Sequence, residues 1–168
     1  KVLAGAGSNA TAEALRLHRF CDKIGADGAL HITPYYNKPT QAGLLAHFKA
    51  IASACDLPII VFQYPLATGQ GYPKDTLLKL VDEVPSIRAI KDWIGNVPHH
   101  EWHVRTLQGL PRPVNVLTTH SAWLLSSLVL GCNGLLSGSG SVIADLQSVL
   151  FKAVQANDLA EARRLNDR

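Results

Sequence analysis

The feature that most constrains the fold is a recurring step. A short apolar run is followed by a stretch of helical period and then by another apolar run, at intervals of roughly 20 to 30 residues. The runs predict strands over Val2 to Gly7, Ala29 to Thr33, Pro58 to Tyr64, Ile87 to Lys91, Val114 to Thr118 and Leu135 to Ser137. Between them, helices are expected from Thr11 to about Ile24, then over about 41–54, 74–84, 98–108, 121–130 and 145–155, with a last one starting near Asp158. Strands apolar on both faces need helices on both sides, which calls for a parallel sheet in an α/β protein. Six strand-helix units can be counted. An open doubly wound sheet and a closed barrel share this grammar, and a closed barrel needs eight units.

The 168 residues, 47% hydrophobic and 17% charged, suffice for one core and one domain over 1–168. A net charge of +3 without a Lys/Arg block argues against nucleic acid as a partner. The apolar stretch Ala122 to Leu130 is too short to span a bilayer, so no membrane role is expected. Cys21, Cys55 and Cys132 stand singly, which suits buried structural thiols in a reducing, cytoplasmic setting. The chain opens without Met, inside what reads as a strand, so its natural start is expected upstream.

Within this pattern, Ile87-Arg88-Ala89-Ile90-Lys91 is an apolar strand that ends on a lysine. Residues at the C-terminal mouths of parallel strands face substrate, and burial favours the neutral amine. Lys91 is therefore a candidate nucleophile toward a carbonyl carbon, forming a Schiff base. The plainer reading is a lysine that marks the return of the strand to solvent.

Other motifs carry weaker signals. Gly5-Ala6-Gly7-Ser8-Asn9-Ala10 has the dinucleotide-binding spacing and makes a nucleotide-binding α/β protein an alternative, but the acidic residue expected after the next strand is missing. A tight turn is the simpler use of those glycines. His99, His100 and His103 have helical spacing and are expected at the surface; no metal site is expected from them. Gly138-Ser139-Gly140-Ser141 offers backbone amides for an anion, or simply a flexible turn. Thr33-Pro34-Tyr35-Tyr36-Asn37-Lys38-Pro39-Thr40-Gln41 differs in kind, because two prolines stiffen a loop that carries two phenols.

Taken together, the segment from Gly5 to Thr11, the Thr33 to Gln41 loop, Leu57-Pro58-Ile59-Ile60 with Pro65 and Thr68-Gly69, and Ile90-Lys91 resemble the dihydrodipicolinate synthase / N-acetylneuraminate lyase family. The match is in register over nearly the whole chain and weakens after about Val97. It implies a TIM (β/α)8 barrel, here incomplete, with the third to eighth strands and without the N-terminal units and C-terminal helices. By the same resemblance Lys91 is the lysine that forms a Schiff base with pyruvate or another 2-oxo acid, without metal or organic cofactor, in a homo-oligomer (tetramer or dimer).

Departures from the family pattern are specific. The proton-relay tyrosine of the fifth family strand is replaced by Phe62, and the arginine that holds the second substrate's carboxylate in the synthases is replaced by Ala67. Tyr64, two residues beyond Phe62 on the same strand face, is expected to supply the missing hydroxyl. Thr119 and His120, where the family shows glycine and acidic residues, are expected to contact the distal part of a substrate, although Ser121 as a helix N-cap would explain that stretch without function. Phe62, Leu136 and Gly138 complete the expected substrate-binding set, and Tyr36 matches the family tyrosine that reaches an adjoining subunit's site. The expected activity is a lyase, aldolase or dehydratase acting on 2-oxo acids, with sugar acids favoured over dihydrodipicolinate synthesis. A family member that binds ligand without turnover is the competing expectation.

Overall fold

The computed structural model describes residues 1–167. Two compact units divide the chain, Lys1–Ile90 and Lys91–Arg168.

In the first unit, β1 (Leu3–Gly5), β2 (Gly28–Ile32), β3 (Ile59–Gln63) and the start of β4 (Ile87–Asp92) lie in chain order. β1 and β2 are parallel, with Leu3 opposite Gly28, and β2 and β3 are parallel, with Ala29 opposite Ile59. A doubly wound sheet would reverse its strand order, and no reversal occurs among these four strands. Ile59, Ile60 and Val61 are consecutive and all buried, so both faces of β3 are covered. The covering helices are α1 (Thr11–Lys23), α2 (Gln41–Ala52) and α4 (Lys74–Glu83). They bury Ala14, Leu44, Phe48, Ile51, Leu77 and Leu80. Thr40 caps α2, its hydroxyl accepting the Gly43 N–H at 3.1 Å. A short helix, α3 (Pro65–Thr68), follows β3 directly and ends on Gly69 at φ 70°. Periodicity gives no sign of α3, because a single turn started by proline is too short to show one.

The second unit opens with the last two residues of β4 and continues through α5 (Val97–Leu107), β5 (Asn115–Thr118), α6 (Leu124–Val129), β6 (Gly134–Leu135), α7 (Gly140–Gln155) and α8 (Leu159–Asn166). β5 and β6 are parallel, with Leu117 opposite Gly134. The Gln108 side chain stitches their starts together: Oε1 accepts from Val116 N and Asn133 N, each at 3.2 Å, while Nε2 donates to Gly131 O at 2.9 Å. The helix expected over 121–130 is instead a 3-10 turn, Ser121–Trp123, leading into α6. Ser121 is not a cap; its hydroxyl meets those of Ser139 at 2.8 Å and Ser137 at 3.2 Å. α7 begins five residues before the expected Asp145, with Ile143 at φ −126°, ψ 37° interrupting its helical geometry. Among the described residues, no helix is long and apolar enough to cross a membrane.

Candidate active site

Lys91 is the fifth residue of the six-residue β4 and is half-buried. Burial lowers its pKa below the ordinary 10.5. The next side chain, Asp92, is buried, and alternation along a strand sends it to the opposite face. Trp93 follows, its ring 5.8 Å from His120 in an edge-on arrangement, and Trp123 lies 5.2 Å from His120 on from there. At the end of β5, Thr118 Oγ1, Thr119 Oγ1 and His120 Nδ1 are buried polar atoms with no protein partner. Three consecutive residues in that condition mark a place where water or a ligand completes the hydrogen bonding.

Leu136 is half-buried and tied to β5 by its N–H, which donates to Thr118 O at 2.9 Å. Gly138 is exposed, with open space where a Cβ would stand. Later amides of this loop bond within it: Gly140 N donates to Ser137 O, Ser141 N to Gly138 O and Val142 N to Ser139 O. The segment is a turn into α7.

In the first unit, the rings of Phe62 and Tyr64 are stacked, 5.3 Å between centroids and 22° between planes. Gln63, between them, is buried and holds the Tyr72 backbone, with its Oε1 3.2 Å from Tyr72 N. The tyrosine loop is anchored by Asn9, whose Oδ1 accepts the N–H groups of Tyr35 at 2.8 Å and Tyr36 at 2.9 Å. Asn37 Nδ2 donates to Asn9 O at 3.2 Å. Tyr36 is thereby presented outward, 86% exposed. Buried Thr33 and Tyr72 share a 2.6 Å hydroxyl hydrogen bond, and burial pushes the Tyr72 phenol well above its usual range. Gly7 is explained by packing: a Cβ there would lie 2.8 Å from Ile32 N and 2.9 Å from Ile32 Cγ2.

The dihydrodipicolinate synthetase family model matches residues 1–168. The chain belongs to that family. Among its relatives, the 4-hydroxy-tetrahydrodipicolinate synthase of Nitratidesulfovibrio vulgaris strain DP4 is 43% identical over 165 residues, which cover 98% of this chain and 56% of that protein. The Nitrosomonas europaea protein of the same name is 41% identical over 167 residues, 99% of this chain and 56% of its own. The solved dihydrodipicolinate synthase of Aquifex aeolicus superposes with a TM-score of 0.91 at 37% identity, over 99% of this chain and 56% of its own. YagE, a prophage protein of the same family from E. coli K12 solved in complex with pyruvate, gives 0.93 at 31% identity and the same coverage. The chain spans about half the length of these relatives. Its α/β alternation is part of a TIM barrel.

One expectation is overturned inside the second unit. His100 and His103 are not surface residues: they are 1% and 0% exposed and both hydrogen-bond to Asp92. Asp92 itself, Asn9, Tyr72 and Ser127 escaped sequence reading. For Asp92 the signal was present, since an acid directly after a buried strand-end lysine faces the helices and needs donors there, which His100 and His103 supply. Among the described residues, no group of three or more His, Cys, Asp or Glu is arranged to hold a metal ion.

Proposed function

We propose that the complete protein is a class I lyase in which the Lys91 amine attacks the C2 carbonyl of pyruvate and expels water to give a Schiff base. The observation that carries this is the half-buried lysine at the end of β4, its ammonium form disfavoured by burial. The protonated imine draws electrons from the neighbouring carbon, so a bond there is made or broken with no metal or organic cofactor. Tyr64 is proposed as the proton-transfer residue, since the stacked Phe62 ring has no hydroxyl to offer. Thr119 and His120 are assigned to the distal part of the substrate, with Phe62, Leu136 and Gly138 as further wall. Tyr36 is assigned to an adjoining subunit's site in a cytoplasmic homo-oligomer.

The reaction partner of the pyruvate imine separates two readings. Three of the four relatives named above are synthases, which favours condensation with an aldehyde. Phe62 and Ala67 stand where the synthases carry tyrosine and arginine, which favours cleavage or dehydration of a 2-oxo sugar acid. Steady-state assays of the complete protein with pyruvate plus aldehydes and with a panel of 2-oxo sugar acids decide between them. Tyr64→Phe is expected to lower turnover by roughly 10²- to 10⁴-fold while leaving the imine trappable. Unchanged turnover in that variant removes Tyr64 from the mechanism. Absence of turnover with every compound, in a protein that still binds pyruvate, supports a binding-only role.

A further inference from the structure

On the face of β4 opposite Lys91, Asp92 is 1% exposed and its carboxylate is fully engaged. Oδ1 accepts the Ile94 N–H at 3.1 Å. Oδ2 accepts from His100 Nδ1 at 2.7 Å and His103 Nδ1 at 2.6 Å, one helical turn apart on α5. His100 Nε2 continues to Ser127 Oγ of α6 at 2.6 Å and to Cys132 Sγ, just before β6, at 3.2 Å. Trp123, which also packs on His120, lies 5.0 Å from the His100 ring. A single carboxylate thus ties the end of the lysine strand, the bend that follows it and two helices into one node.

Burial opposes charge on both Asp92 and His100, but their mutual hydrogen bond wins: it helps hold the carboxyl low and lifts His100 to about 9. Stability alone is a poor reason for such a group, because a buried ion pair gains little over apolar residues of the same volume. Its distinctive effect is registry. The bonds tie Asp92 to Ile94 and to α5, directly after Lys91, and a misplacement of about 1 Å at a reacting group can slow a step by roughly 100-fold.

We propose that Asp92, His100 and His103 are positioning residues that hold the strand end so that Lys91 presents its amine in one orientation to the substrate carbonyl. This rests on Lys91 being the nucleophile. The node acts through the backbone of the neighbouring residue and touches no substrate.

The test compares two variants of the complete protein. His103→Asn keeps a donor near the place of Nδ1, whereas His103→Leu has similar bulk and no donor. The rate of borohydride-trapped pyruvate adduct formation on Lys91 is measured against pyruvate concentration, well below each variant's melting temperature. We expect His103→Leu to be slower by at least about tenfold at saturating pyruvate, with the half-saturating concentration within about twofold of the parent, and His103→Asn to keep at least about one third of the parental rate. A folded His103→Leu protein that traps at the parental rate, or a His103→Asn protein as slow as it, overturns the proposal. If His103→Leu does not fold, Ser127→Ala replaces it: slowing of at least about threefold at unchanged half-saturation supports the proposal, and the parental rate overturns it. A parent protein that traps pyruvate nowhere on Lys91 defeats the Lys91 reading itself; one that traps there while the variants match it defeats only the positioning role.

Discussion

The chemistry asked of Lys91 depends on its amine being neutral in the pH range where the protein works. Burial alone lowers its pKa from 10.5, and only the neutral form attacks a carbonyl. The rate of imine formation should therefore rise with pH to a midpoint below that of an exposed lysine, about 10.4. A midpoint at or above that value, measured by borohydride trapping across pH, would contradict the burial argument. Gly7 makes a separate prediction. Its missing side chain leaves room for the Ile32 backbone, which a methyl group would meet at 2.8 Å. Gly7→Ala is expected to destabilise the protein by about 1 to 3 kcal/mol in denaturant unfolding, as overpacking does. An unchanged midpoint would return the glycine to the turn or nucleotide readings.

Strands and helices of the first unit enclose a second set of histidines. His18 on α1 and His31 on β2 are 3.1 Å apart through Nδ1 and Nε2, and His47 on α2 lies 2.9 Å from Thr11 Oγ1. All three are buried, and His18 Nε2, His31 Nδ1 and His47 Nε2 have no protein partner. Burial lowers all three, and with its two neighbours adding repulsion His31 falls to about 3. A base depressed in the folded state takes up its proton more readily when unfolded. The stability it contributes is complete above 6.5 and is lost as pH falls from 6.5 toward 3. Raised His100 has the opposite sign: its contribution is complete below 6.5 and is lost as pH rises through about 9. The melting temperature should fall on acidification from pH 7 to pH 5, with up to about 1.4 kcal/mol per pH unit from His31 and a loss of the same sign from His18 and His47. A flat profile over that interval would contradict the arrangement.

Helices α1, α2, α4 and α5 lay close to their expected bounds, and α1 and α4 carry the clearest apolar period. Both α3 and the start of α7 were missed, the first for brevity and the second because Gly138 to Ser141 reads locally as a turn. The place of Lys91 near the end of β4 was legible because a charge closing an apolar strand breaks a pattern. The partners of Asp92 were not, since they depend on which face of α5 turns inward, and the histidines look polar in sequence whether buried or exposed.

Apolar side chains on the surface of each unit carry a prediction about association. Val2, Phe20 and Ile24 in the first unit are 63%, 52% and 60% exposed, and Val142 in the second is 87% exposed. Kept as an isolated polypeptide, the 168-residue chain is expected to self-associate, as exposed apolar surface and unpaired strand edges do. Sedimentation and thermal melting check this; a sharp, reversible melt of a monomer would contradict it. The central claim concerns one covalent bond, and one measurement reaches it directly. The complete protein is incubated with pyruvate, reduced with borohydride, digested and examined by mass spectrometry over the peptide that contains Lys91. An adduct of pyruvate mass on Lys91, absent in Lys91→Ala, is the predicted result. A folded protein with no adduct on Lys91, or with its adduct on another lysine, would contradict the claim and leave Lys91 as a strand-end residue.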